Sequence, residues 1–173
     1  PQVFNNTGSL WLSFDFALTG SFAYVEFNDI AWSGGPLPAS FGYDDSTGLF
    51  TATAAAQTYD INFDMRFDAV AISVGTFAVE WVVTDLAGVE TIFNPYTTPS
   101  ATSLYGYSGS FTTPLMAIGD TLGMRAKELT GSWEIDGTGI GPFSVPQTTL
   151  TVTTGAANTS DATLLQALRG ELN

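Results

Sequence analysis

The sequence predicts an all-β protein, an antiparallel sandwich or barrel of about eight to ten short strands. Two observations carry this reading. The first is one strand of near-perfect alternation. Ile61, Phe63, Met65 and Phe67 face one way; Asp60, Asn62, Asp64, Arg66 and Asp68 face the other. A period of two over such a run defines a half-buried strand with one wet face. The second is punctuation: short alternating runs are separated by turns rich in Gly, Pro and Asp, and no long helical period interrupts them.

In chain order, Leu10, Leu12, Phe14 and Phe16 alternate with Trp11, Ser13 and Asp15 as a first strand. Phe22 to Phe27 is a second, with Val25 and Phe27 on one face and Tyr24 and Glu26 on the other. Ser33 to Pro38 holds two glycines and two prolines and must be a loop. Asp44 to Gly48 is a turn into Leu49-Phe50-Thr51, and the long strand follows. Phe77, Val79, Trp81 and Val83 form the next inward row; Asp85 to Gly88 is a hairpin turn, and Val89 to Phe93 returns. Asn94 to Thr102, with two prolines, reads as a loop, and Leu104 to Leu115 as a strand with Phe111 and Leu115 inward. Leu122, Met124 and Ala126 follow a turn at Ile118 to Asp120; Gly131 to Pro142 is a glycine-rich loop holding Trp133. Leu150 and Val152 face inward, and Thr149, Thr151 and Thr153 outward, in the last strand. The domain boundaries are an N-terminal arm at 1–9, the β domain at 10–154, and a tail at 155–173. In the tail, Ser160 caps a helical period that places Leu164, Leu165, Leu168 and Leu172 on one face.

Composition narrows the function. Only 12% of residues are charged, against about 25% in ordinary globular chains. With 13 Phe, 6 Tyr and 4 Trp, that deficit points to surface covered by partner subunits or to a Thr/Ser/Gly-rich β surface. The net charge of −13 argues against nucleic-acid backbones and anionic membranes. There is no Cys and no His, which excludes disulfides, Cys/His zinc sites, His-based triads and Cys nucleophiles. No apolar run reaches membrane-spanning length. The start, PQVFNN, has no basic or apolar leader region, and Pro1 is what removal of an initiator Met would leave.

The order of features resembles the tumour-necrosis-factor-like family, most closely the complement globular head and its bacterial and viral relatives. The matching pieces are SFAYVEFNDI, FGYDDSTGLFTA, TYDINFDMRF, SGSFTTPLMAIGDTLGMRA and FSVPQTTLTVT, spanning Leu10 to Thr153. The family's usual Gly-Ile/Val-Tyr entry to the long strand reads Gln57-Thr58-Tyr59 here. The resemblance implies an antiparallel jelly-roll sandwich of about ten strands, here with a short C-terminal helix or arm, packing as a homotrimer around an aromatic axis. It implies a binding module or structural cap and no enzyme or cofactor. The expected role is a virion structural protein on the capsid surface: a capsid decoration (cement) or head-fibre protein held to the major capsid protein or another virion protein. The alternative is a receptor- or carbohydrate-binding head of a tail fibre or bacterial surface protein.

Three groups of residues are candidates for binding. Asp44 and Asp45 lie in a turn, where carboxylates either gather around calcium or simply form the turn. Asp60, Asp64 and Asp68 share a strand face on which even alternate residues stand about 7 Å apart, so they are too spread to meet one ion. Val3, Phe4, Leu164, Leu165, Leu168 and Leu172 are the expected partner-binding residues. A tail this short needs a partner to be helical. That partner is either another protein or the chain's own β domain. Trp11, Trp32 and Trp133 fall where they are either exposed platforms or core and interface residues.

Overall fold

The computed structural model describes residues 7–12, 14–27, 41–53, 57–70, 74–100, 104–137 and 148–154. The tail leucines, Val3, Phe4, Trp32 and the Ser33–Pro38 loop lie outside the described residues. The strands are β1 (Thr7–Trp11), β2 (Phe16–Ala17), β3 (Ala23–Tyr24), β4 (Phe41–Asp44), β5 (Leu49–Ala52) and β6 (Tyr59–Ala69). They continue as β7 (Thr76–Thr84), β8 (Glu90–Thr97), β9 (Tyr105–Thr112), β10 (Thr121–Thr130), β11 (Trp133–Ile135) and β12 (Thr149–Thr154). Every pairing is antiparallel.

Two six-stranded sheets result. In the first, β6 is central: β9 runs along one edge, while β12 and then β11 share the other, with β1 beyond β12 and β2 beyond β11. In the second, β10 is central, with β7 then β8 on one edge, and β5 and β3 sharing the other, with β4 beyond β5. This is a jelly-roll sandwich, as the sequence predicts.

The inward rows are those the alternation assigns. Ile61, Phe63, Met65 and Phe67 of β6 are buried, and so are Phe77, Val79, Trp81 and Val83 of β7. The sheets meet through aromatic contacts: Phe67 stacks on Phe77 with ring centroids 4.0 Å apart, and Phe63 meets Trp81 at 5.5 Å. Gly48 closes the β4–β5 hairpin at φ 71°; a Cβ there would lie 2.6 Å from the Val25 carbonyl oxygen, so only glycine fits.

Four local expectations are corrected. The first strand's alternation ends at Leu12: the chain bends at Phe14, which is exposed, and Phe16 begins a separate short strand. Leu115 lies past the end of β9 in the following loop and is exposed, while Met116, bridged to Gln57, is buried. Trp133 sits on strand β11, fully buried against Phe77, because Trp133 to Ile135 pairs with the far end of β6. Finally, β8 does not stop at Phe93. It continues through Asn94 and Pro95 by a bulge that sets both opposite Glu80, with Asn94 at φ 48°. An edge strand tolerates this proline because one side of its backbone has no ladder to complete.

Candidate functional site

The two sheets end on the same side of the sandwich in β8 and β9, which share no backbone ladder. Side chains close the gap. Phe93 stacks on Phe111 at 4.9 Å and an interplanar angle of 10°. Tyr96 lies over Tyr105 and Tyr107 at 5.9 and 5.8 Å, and the Tyr96 and Tyr105 hydroxyls are 2.5 Å apart. The Tyr107 hydroxyl donates to the Asn94 carbonyl at 2.6 Å. The left-handed conformation at Asn94 therefore has a use: it turns that carbonyl into the seam. Behind the seam, Phe63 stacks on Tyr107 at 4.6 Å and Trp81 meets Phe111 at 5.6 Å, so the edge is tied to the core.

Tyr107 is buried, but Phe93, Tyr96, Tyr105 and Phe111 are only half-buried. Between the strands runs a groove of about 360 Å³ lined by Asn94, Tyr96, Tyr105, Tyr107 and Ser108. Burial holds the Tyr107 phenol well above its ordinary pKa, with the Glu80 charge adding to the effect. Tyr96 is raised too, by desolvation first and then by its bond to Tyr105. Both phenols are therefore neutral across physiological pH, and the seam carries no charge.

Across β12, β6 and β9 the outer face of the first sheet is a grid of hydroxyls and carboxylates around one carboxamide, Asn62. Thr153, Asp60 and Thr112 lie side by side across three strands, as do Thr151, Asn62 and Ser110, and then Thr149, Asp64 and Ser108. Thr112 donates to the Asp60 carboxylate at 2.5 Å. The face is flat and short-chained, so a second surface can approach it closely.

Two groups of carboxylates are candidates for holding a cation. Asp44 and Asp45 are exposed in the β4–β5 turn, where the Asp44 side chain accepts from the Ser46 backbone and hydroxyl at 2.9 and 2.6 Å. Those bonds hold its pKa below the ordinary value. The sequence did not reveal the second group, because it forms only when β11 pairs with β6. Asp68, Glu134 and Asp136 come together with carboxylate oxygens within 4.8 Å of one another. Asp136 is paired with Arg66 Nε at 2.9 Å. Desolvation, then the neighbouring acids, raises Glu134; Asp136 is raised by desolvation and Asp68 against the lowering pull of Arg66. Arg66 thus offsets part of the charge that a cation would otherwise meet.

Two antiparallel sheets packed in this order make the jelly roll of the tumour-necrosis-factor-like fold. Among solved structures, the chain is similar to murine APRIL, with a TM-score of 0.60 and 8% identity over 88% of this chain and 100% of that one. It is similar to the globular domain of zebrafish complement 1qA, with a TM-score of 0.56 and 15% identity over 88% of this chain and 98% of that one. It is also similar to Eiger TNF from S. frugiperda, with a TM-score of 0.57 and 10% identity over 88% and 93%. No protein-family model and no curated protein matches the sequence.

Proposed function

We propose that the protein is a homotrimeric head that works by binding, with its copies meeting along the β8/β9 edge. The observation that carries this is the seam: half-buried aromatics, neutral and anchored to the core, on an edge whose backbone is broken by a bulge and Pro95. Aromatics at the centre of an uncharged patch are how interface cores are composed. The bulge removes the regular ladder that strand-to-strand addition would use. The low charge content fits a chain with much of its surface covered.

In this reading the trimer is a virion structural protein, a capsid decoration (cement) or head-fibre protein that binds the major capsid protein or another virion protein. The net charge of −13 per copy keeps such trimers apart in solution while leaving the aromatic seam for contact. The tyrosine-lined groove supports a second reading, a receptor- or carbohydrate-binding head, because phenol faces stack on sugar rings. Native mass spectrometry at micromolar concentration is expected to give three times 18.3 kDa. A monomer would overturn the trimer. Electron microscopy of capsids mixed with the purified protein tests the lattice role, where threefold density supports it. Bare capsids together with a hit on a glycan array would replace it with the second reading.

A further inference from the structure

One end of the sandwich is apolar and uncovered by any described residue. Leu86 and Val89 in the β7–β8 turn are 74% and 60% exposed; Leu115 and Ile118 in the β9–β10 loop are 63% and 57% exposed. They belong to one surface. The β9–β10 loop returns into Thr121, which pairs with Thr84 just before the turn, and Leu86 Cδ2 lies 2.8 Å from where a Gly119 Cβ would be. Aliphatic side chains this exposed and this close mark a contact surface.

The chain leaves the last strand at this same end. Thr154 pairs with Tyr59, and on the other side of Tyr59 its carbonyl accepts from the Thr113 amide, where the β9–β10 loop begins. Two strand spacings, about 10 Å, separate Thr154 from that loop. Beyond Thr154 the sequence runs on through 155–173, and its apolar content is concentrated in Leu164, Leu165, Leu168 and Leu172. The six residues 155–160 reach up to about 20 Å when extended, so the leucines can arrive at the patch without strain. At helical rise the stripe from Leu164 to Leu172 spans about 12 Å, the scale of a four-residue aliphatic end. Arg169, the tail's one base, flanks the stripe, and the patch is rimmed by Asp85.

We propose that the chain's own C-terminal segment docks on this end, with the leucine stripe covering Leu86, Val89, Leu115 and Ile118. The tail then closes its own domain, and the attachment of the head to other proteins falls to the β8/β9 edge and the hydroxyl face.

The chain has no cysteine, so introduced pairs are its only thiols. Ile118→Cys is combined in turn with cysteine at Leu164, Leu165, Leu168 or Leu172 in the full chain and treated with a short bismaleimide. At least one pair is expected to link within a single chain, migrating as one chain under denaturing conditions. The control pair, Asp45→Cys with Leu168→Cys, is expected not to link. A dimer-sized product would mean that a second copy supplies the tail, and no product in any pair would mean that a different partner does; either overturns the proposal. As an independent readout, deletion of Asn158–Asn173 is expected to speed amide exchange at 86–89 and 116–119 about tenfold. Adding the 158–173 peptide in trans should restore protection. Exchange unchanged by the deletion also overturns it. None of these readouts depends on trimer mass, so the trimer can fail or stand separately.

Discussion

Phe63→Ala tests the register on which both the core and the seam depend. Phe63 is 4% exposed and stands between Trp81 of the opposite sheet and Tyr107 of the neighbouring strand, at 5.5 and 4.6 Å. Truncation removes the ring from water-free surroundings and leaves a cavity, at a typical cost of about 3–5 kcal/mol. Little can collapse into the space. The strand neighbour opposite is Gly109, which has no side chain to offer, and its would-be Cβ already lies 3.0 Å from the ring. In a domain of this size, each kcal/mol lowers Tm by about 2–4 °C, so a fall of about 6–20 °C is expected. Urea unfolding followed by the fluorescence of buried Trp81 and Trp133 reads the same loss as a lower midpoint at unchanged slope, with protomer concentration held fixed. A loss below about 1 kcal/mol would show that Phe63 is not core and that β6 presents its other face.

The seam is tested by Tyr105→Asp, which puts charge onto the uncharged edge; the expected outcome is a native mass of one chain with an unchanged far-ultraviolet dichroism spectrum, and a surviving trimer would move the interface elsewhere. Glu134→Gln tests the acidic cluster. Because the folded pKa values of Glu134 and Asp136 lie above their ordinary 4.5 and 3.8, the folded state holds protons that the unfolded state releases. That stability is present at low pH and lost as pH rises through the raised values. The variant is therefore expected to melt higher than wild type at pH 7, with the difference shrinking on acidification; a lower Tm at pH 7 would refute the assignment. Thermal unfolding in excess chelator is expected to match that in calcium, since Arg66 already compensates Asp136 and the Asp44 carboxylate is engaged by Ser46. A large drop in chelator would make one of those groups a ligand site.

What the sequence disclosed follows from local periodicity. Alternation along β6, β7, β10 and β12 assigns their buried faces because each pairs on both edges and buries one face against the opposite sheet. The failures occur where partners distant in sequence decide. Trp133 reads as a loop tryptophan until β11 finds the end of β6, and the same pairing brings Asp68 to Glu134 and Asp136, 66 and 68 positions along the chain. Pro95 reads as a strand terminator because its compatibility with an edge depends on which strand is outermost. The aromatic excess signals an interface, yet nothing in composition says that Tyr96 and Tyr107 share a groove across two sheets.

The kink at Asn94 and Pro95 also governs how copies can add to one another. A straight β8 would offer its open row of amides as a template for strand-to-strand pairing with another chain. With the row interrupted, a copy that meets this edge meets side chains, and a contact of that kind ends in a small ring where its rotation closes. The proposed trimer is such a closed ring, so crowding many copies on one surface would leave discrete units at fixed spacing and no fibres.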